Sequence, residues 1–535
     1  MLSDRRTPDA DDTVSLAAGP VITRPDAEVT VVLPFLRGAT ASSPPAWLPW
    51  SGWSRRNRLL LAALLATALA GAVALIAGWP PAALERLVGA APTPTPSVGP
   101  EPAPGPVLAA LAQPPAAAPT AAGVNAALAP VLASTGLGTA VGVSVVDVAT
   151  GAELYDAAGD RAYIPASTTK LVTAATVLAT RGPSYRLRTT AVAGVRPGEV
   201  VLVGGGDPTL AAGAVGAYAG AARLDRLAAQ VSRSLGGVRP SRVVLDVSLF
   251  AGEQQGPGWD AGIVAGGHVA PITALMTDGG RLRPRQGSPA ARHTAPDLAA
   301  GRRFAQLIGA PPTVVTGTAP APPVPAPGNP VPAPGSPFAA PAPGTLLGAV
   351  ASPPMQRLVD IMLADSDNVL AEALARQVAL ARDQPASYAG ASSAMDAVLT
   401  ELGLPADESG LVDGSGLSRS NALTPTLLTD LVALIASGRT PALSGLFNGL
   451  PVAGWSGTLE DRFRAPSGAG RAGLGVVRAK TGTLSGVSAM AGVVTTADGR
   501  LLAFSLLAND TTLPPYEAPA ALDAVAAALA RCGCR

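Results

Sequence analysis

Residues 165–183 read PASTTKLVTAATVLATRGP. The stretch predicts a helix, with Gly182 and Pro183 as its stop signal. At the start of that helix Ser167 and Lys170 stand three apart, so the hydroxyl and the amine are neighbours on one face. A serine hydroxyl is a poor nucleophile until a base sits beside it. A lysine amine taken out of water can lose its proton near neutral pH and supply that base. The helix N-terminus also favours negative charge developing at Ser167. Alone, Ser-x-x-Lys is common by chance.

Lysine usage lifts it above chance. Of 38 basic residues only two are lysine, at 170 and 480, and the rest are arginine. Arginine keeps its proton in a protein and cannot act as a base. On the count alone, two lysines surviving by accident is an equal reading; their contexts weaken it. Lys480 opens Lys480-Thr481-Gly482-Thr483, at the end of a predicted strand. Lysine and threonine side chains facing a cleft can bind a carboxylate, glycine lets another chain approach closely, and the following backbone N–H can serve an oxyanion. A third tripeptide, Ser366-Asp367-Asn368, closes the first helix after a Pro-rich stretch. There the serine can relay a proton while the asparagine bonds a lysine and a substrate amide. Taken singly, this tripeptide is an ordinary helix junction.

Composition narrows the rest. The chain has 535 residues, room for about three domains. A net charge of +1 argues against binding nucleic acid, which needs a basic face. Two cysteines exclude a disulfide-rich scaffold and a four-cysteine zinc site, and two histidines, His268 and His293, leave little for a metal centre. No metal or organic cofactor is expected. Of 54 prolines, 25 fall within 80–125 and 311–344, which predicts stretches outside the folded core.

Residues 59–79, LLLAALLATALAGAVALIAGW, carry no charge and would span about 31 Å as a helix, enough for a bilayer core. Arg55, Arg56 and Arg58 precede them, which puts the N-terminus in the cytoplasm and the bulk of the chain outside it. A cleaved signal peptide is the competing reading, disfavoured by the length of the apolar run and the 58-residue leader. The expected layout is a largely disordered cytoplasmic tail over 1–58, a transmembrane helix over 59–79 and a Pro/Ala linker over 80–124. A catalytic domain follows over 125–184 and 349–535, split by an inserted domain over 185–348 with a surface loop at 311–344. The alternating run 141–148, a second strand at 151–159 and a C-terminal meander over 473–510 predict one antiparallel sheet covered by helices, within a mixed α/β fold. Helical patterns occupy 221–235, 355–381, 388–403 and 518–531.

In order and type, Ser-x-x-Lys, Ser-x-Asn and Lys-Thr-Gly resemble the signature of penicillin-binding proteins and serine β-lactamases. PASTTKLVTAA (165–175), GGGDPTL (204–210), SDNVLAEALAR (366–376), DGSGLSR (413–419) and KTGTLSG (480–486) resemble the D-alanyl-D-alanine carboxypeptidase/endopeptidase family, the class C penicillin-binding proteins of low molecular mass. The resemblance runs from about 125 to 531, and an actinobacterial, membrane-anchored member fits best. It implies the penicillin-binding, β-lactamase-like transpeptidase fold, with extra material inserted between the first two motifs. It also implies a serine carboxypeptidase that trims peptidoglycan peptides ending in D-Ala-D-Ala, and that β-lactams block.

By that resemblance Ser167 is the nucleophile, Lys170 its base, Ser366 the proton relay and Asn368 the clamp on Lys170 and substrate. Lys480, Thr481 and Thr483 bind the terminal carboxylate, Gly482 gives close approach, and the N–H groups of Ser167 and Thr483 form the oxyanion hole. Arg419 and Asp260 stand where the family lines a pocket for a diaminopimelyl side chain. The plain alternative makes Arg419 a helix cap and Asp260 a solvated loop residue. The chain departs from the family at His268, where an aromatic is expected, and in its shorter, Pro-rich insertion. Two other functions stay open: a non-hydrolytic relative acting in signalling or assembly, and a β-lactamase, against which stands the lack of a Glu-x-x-Leu-Asn context. Cys532 and Cys534 are compatible with a small disulfide, a free pair or an intermolecular bridge.

Overall fold

The computed structural model describes residues 117–323, 341–464, 470–511 and 517–535. The expected tail, the span 59–79, the linker up to residue 116 and the centre of the Pro-rich loop lie outside the described residues. Among the described residues no helix is long and apolar enough to cross a membrane.

The chain begins with α1 (Ala121–Leu132), β1 (Ala140–Asp147), β2 (Glu153–Ala157) and α2 (Thr169–Arg181). The inserted region supplies β3 (Arg188–Ala193), β4 (Glu199–Val203), α3 (Leu224–Ser234), β5 (Arg242–Asp246), α4 (Pro296–Leu307), β6 (Val314–Thr316) and β7 (Leu346–Ala351). A helical layer follows: α5 (Met355–Ala364), α6 (Asn368–Ala381), α7 (Tyr388–Glu401), the short pair β8 (Ser409–Gly410) and β9 (Ala422–Leu423), and α8 (Pro425–Ala436). The chain closes with β10 (Val477–Leu484), β11 (Val487–Thr495), β12 (Leu501–Asn509) and α9 (Glu517–Arg531).

The first sheet runs β10–β11–β12–β1–β2, antiparallel throughout. The N-terminal strand pair therefore joins the C-terminal meander through β1 and β12 in one antiparallel sheet, as expected, but β1 is buried on both faces where its alternation predicts half-burial. Both faces of this sheet are covered, which explains its nearly unbroken apolar strands. Met490, Val494, Phe504 and Leu506 pack with Val124 and Leu128 of α1 and Val525 and Leu529 of α9. The opposite face presents Ala489, Ala491 and Ala503 to Leu171 of α2, Leu374 of α6 and Leu427 of α8. Small residues on that face allow α2 to lie close to the sheet. Each fully buried leucine here contributes roughly 1.5–3 kcal/mol relative to exposure, as an upper bound.

The second sheet runs β6–β5–β4–β3–β7 and is mixed. β4, β5 and β6 are parallel, so each step needs a crossover, supplied by α3 and α4. Their buried faces, Leu224, Leu227 and Val231 of α3 and Phe304 of α4, fill the core with Val200, Leu202, Val243 and Leu245. One expectation needs correcting. The stretch 311–344 is not wholly loop: Val314–Thr316 adds β6 to the parallel edge of β5. Three β-prone residues suffice because the neighbouring strand supplies the template.

The helical pattern over 355–381 is broken at Asp365–Asp367. Ser366 adopts φ 54°, a left-handed conformation, and Asp367 caps α6 by accepting the Leu370 N–H at 3.0 Å. This break sets Ser366 and Asn368 at a helix start opposite α2. α8 is an element the sequence reading passed over, although Thr424 as N-cap and Pro425 at the first helical position mark its start.

Candidate active site

Ser167 lies in the short helical turn Ala166–Thr168 that leads into α2. Ala166, just before it, has φ 47°, a strained value for a residue with a Cβ. Two glycines hold it there. A Cβ on Gly482 would come within 2.8 Å of Pro165 O and 3.0 Å of Ser167 N. Gly416, at φ 82°, leaves no room for a Cβ against the Ala166 carbonyl. Two separate motifs thus press backbone against the Ser167 turn, and neither position tolerates a side chain.

Lys170 is fully buried, and its Nζ makes three short bonds: to Ser167 Oγ at 2.9 Å, to Asn368 Oδ1 at 2.7 Å and to the Ser415 carbonyl at 2.6 Å. Burial drives its proton affinity down, and the carboxylates of Asp413, Glu372 and Asp367 pull it partly back, leaving a pKa of about 8. Asn368 Oδ1 accepts from the lysine while its Nδ2 donates to the His268 carbonyl at 3.0 Å. His268 therefore meets the site through its backbone. The Ser366 hydroxyl forms no direct hydrogen bond to Lys170 among the described residues; its position comes from the helix break alone.

The edge strand β10 forms the other wall. The Ala479 N–H donates to Pro451 O and the Val477 carbonyl accepts from the Ala453 N–H, both at 3.0 Å, on the side away from β11. Pairing with β11 continues without a slip to Leu484. Odd-numbered residues of β10 therefore turn N–H and C=O outward, and Thr481 and Thr483 present their backbone toward the cleft. Lys480 is fully buried and donates to the Thr481 carbonyl at 2.7 Å. Burial, reinforced by the nearby Lys170 charge, pushes its proton affinity well below that of a free lysine. The Thr481 hydroxyl bonds that of Thr458 at 2.6 Å.

Past the end of β10, Arg419 and Asp260 form an ion pair. Arg419 Nε lies 2.8 and 3.1 Å from the two Asp260 oxygens, and its Nη2 donates to the Ser485 carbonyl at 3.0 Å. Their side chains remain 34% and 42% exposed. Arg419 is not a helix cap, and Asp260 is not a lone solvated residue. Asp260 is held in place by its neighbour Trp259, whose Nε1 donates to Asp413 at 2.8 Å.

Sequence reasoning missed a buried polar cluster behind Lys170. Asp413 accepts from the N–H groups of Gly416 and Ser418, from Asn421 Nδ2 and from Trp259. Glu372 accepts from the N–H groups of Gly414 and Ser415. The available signal is Glu372 itself, an acid four residues after Asn368 and four before Arg376 on a mostly apolar helix. In the sequence Asp367 is only the middle of its motif. Burial opposes its ionisation, but Arg281 and Arg292 outweigh that and hold it below the usual carboxylate range, with Tyr218 donating to it at 2.8 Å. Among the described residues no group of three or more His, Cys, Asp or Glu side chains is placed to hold a metal. Cys532 and Cys534 are joined by a disulfide just beyond α9, and the Cys534 carbonyl accepts the Thr120 N–H at 2.7 Å.

A serine hydrogen-bonded to a buried lysine three residues on, set against the edge of a helix-covered antiparallel sheet, is the arrangement of penicillin-interacting serine acyltransferases. Comparison with known proteins makes this specific. The model of the D-Ala-D-Ala carboxypeptidase 3 (S13) family matches residues 124–306 and 337–531. Carboxypeptidase DacB of Mycolicibacterium smegmatis is 39% identical over 420 residues, covering 78% of this chain and 85% of the relative. Carboxypeptidase Rv3627c of Mycobacterium tuberculosis is 40% identical over 425 residues, covering 78% and 86%. The crystal structure of penicillin binding protein 4 from Haemophilus influenzae shares the fold, with a TM-score of 0.59 at 22% identity, covering 76% of this chain and 97% of that one. The chain belongs to the S13 family and is a serine-type D-Ala-D-Ala carboxypeptidase.

Proposed function

We propose that this enzyme trims peptidoglycan stem peptides through an acyl-enzyme on Ser167, with Lys170 as general base. The observation that carries the reading is the 2.9 Å bond from a fully buried lysine amine to the Ser167 hydroxyl. The neutral amine takes the Ser167 proton as Oγ attacks the carbonyl of the penultimate D-alanine. The N–H groups of Ser167 and Thr483 hold the oxyanion; removing one such donor typically costs about 10²–10³ in rate. The proton passes by way of Ser366, with Asn368 fixing the lysine, to the departing amine of the terminal D-alanine. Water then cleaves the ester and regenerates Ser167. Lys480, Thr481 and Thr483 bind the terminal carboxylate, and Gly482 makes room for the Ser167 turn. A β-lactam acylates Ser167 and blocks it.

The Arg419–Asp260 pair supplies one cation and one anion at the rim. A diaminopimelyl side chain, with a carboxylate and an amine, would replace each partner of the pair with its own opposite charge. A second reading, additional endopeptidase action, is favoured by a cavity of about 620 Å³ bordered by Asp367, Thr458 and Arg281. It adjoins the site through Asp367, between Ser366 and Asn368, and through Thr458, which bonds Thr481, and would take a leaving group larger than D-alanine. The test is D-alanine release from a peptide ending in D-Ala-D-Ala, alongside cleavage of a cross-linked dimer. Failure of D-alanine release would favour a non-hydrolytic relative; rapid turnover of penicillin would favour a β-lactamase.

We also infer an uncleaved anchor at 59–79 with the catalytic part outside the cytoplasm. The uncharged run and its preceding arginines support this, and the Cys532–Cys534 disulfide suits an oxidising compartment. Protease added to intact cells should release a fragment beginning within 80–124. A mature N-terminus near residue 79 in untreated cells would contradict it.

A further inference from the structure

We propose that the Glu372 carboxylate is a positioning residue for Lys170: through the Ser415 peptide it fixes the carbonyl that grips the lysine amine, and its negative charge faces that amine across the peptide. The proposal rests on the reading of Lys170 as the base.

Glu372 lies on α6 and is fully buried. Its Oε1 accepts the Ser415 N–H at 2.9 Å, and its Oε2 accepts the Gly414 N–H at 3.3 Å. The carbonyls of the same two residues point the other way, toward α2. Gly414 O accepts from the Thr173 hydroxyl at 2.7 Å, and Ser415 O accepts from Lys170 Nζ at 2.6 Å. The loop is thus strung between a carboxylate on α6 and a hydroxyl and an amine on α2. Removing the carboxylate frees both N–H groups in a dry interior, and the carbonyl holding Lys170 loses its orientation.

The charged and titratable neighbours are few. Facing Glu372 are Arg376 on its own helix, with Nη1 at 3.7 Å from Oε2, Asp413 on the loop, Tyr388 on α7 and Lys170 on α2. Arg376 is held over the Tyr388 ring, 4.1 Å from its centroid. Facing Lys170 are Asp413, Glu372 and Asp367, while Lys480 is a second cation nearby. Burial and the Asp413 charge push Glu372 up to about 7, so its charge changes just below the range in which Lys170 loses its proton. The Glu372 charge favours the protonated lysine, so its removal makes Lys170 neutral at lower pH.

Because the chain has only two lysines, labelling lysine Cε with carbon-13 gives two resonances from the full-length protein, and Lys170→Arg identifies one of them. In wild type the Lys170 signal should titrate near pH 8. In Glu372→Gln that titration should move to lower pH by about half a unit or more. Penicillin acylation should follow the same shifted limb, with its plateau lowered about tenfold or more. Glu372→Asp retains the charge and should return the limb toward its wild-type position. A limb that stays put in Glu372→Gln while the plateau falls would show a merely structural residue and overturn the proposal. So would a Glu372→Asp limb that stays at its Glu372→Gln position, because that variant keeps the carboxylate. If Lys170→Arg still acylates at the wild-type rate, the base assignment fails instead, and the two failures are told apart.

Discussion

The two ends of the cleft are built on opposite principles. At Ser167 every charged group is out of water: Lys170 and Lys480 are fully buried, and Glu372 and Asp413 are sealed beneath the loop that holds Lys170. At the far end of β10 the Arg419–Asp260 pair is more than a third exposed. A buried amine has a lowered proton affinity and works as a base near neutral pH, whereas an exposed ion pair exchanges partners at little cost. The proposed chemistry thus falls at the dry end and the proposed choice of substrate at the wet end.

The comparison breaks first at the nucleophile. Ser167→Ala should abolish covalent penicillin labelling and D-alanine release while the circular dichroism of the fold is unchanged. Labelling that persists would move the chemistry elsewhere. Gly416→Ala should come next, because a Cβ at φ 82° strikes the Ala166 carbonyl and shifts the Ser167 turn. A displacement of this kind typically costs about 100-fold in acylation. An unaffected rate would show that the turn is not held by that loop.

The dry end also makes a proton prediction. Lys480 has a depressed proton affinity in the empty site, and a bound carboxylate favours its charged form. Binding of a D-Ala-D-Ala peptide to Ser167→Ala should therefore take up a proton and weaken as pH rises. Calorimetry in buffers of different ionisation enthalpy reads this directly, and binding without proton uptake would place the carboxylate away from Lys480.

The smallest expected effect lies at the wet end. Arg419→Ala should slow cleavage of peptides carrying a diaminopimelyl side chain by roughly 1.5–3 kcal/mol of transition-state binding, the range for a charged hydrogen bond. Its reaction with a simple penicillin should barely change. Equal losses on both substrates would show that Arg419 supports the catalytic centre rather than the pocket.

What was legible in the sequence follows the same division. Strand patterns over 141–148 and 473–510 announce the first sheet because each strand is short, apolar and bounded by turn residues. The pairing of β1 with β12 follows once both faces need cover. The lysine count drew attention to Ser167, Lys170 and Lys480, and the structure brings Lys170 together with Ser167 and Asn368 at hydrogen-bond distance. The second sheet was half legible. β4 and β5 are continuous apolar runs, but β6 is three residues inside a Pro-rich stretch and α4 carries Gly301 at its centre. Of the buried polar cluster only Glu372, an acid within a mostly apolar helix, left a mark in the sequence. The cluster's chemistry comes from backbone N–H groups of 414, 415, 416 and 418 converging on two acids, and backbone geometry leaves little trace in side-chain pattern.

The account turns on Lys170 as a desolvated base, and the acylation rate with a fluorescent penicillin, followed from pH 5 to 10, tests it most directly. A lysine with lowered proton affinity is inactive while protonated, so the wild-type rate should rise about tenfold per pH unit below about 8 and level above it. Lys170→Arg should lose nearly all of this rate at every pH, because arginine has no neutral form to offer, while Lys480→Arg keeps more of it through its retained charge. A Lys170→Arg enzyme acylating within about tenfold of wild type, with the same rise toward pH 8, would contradict the account.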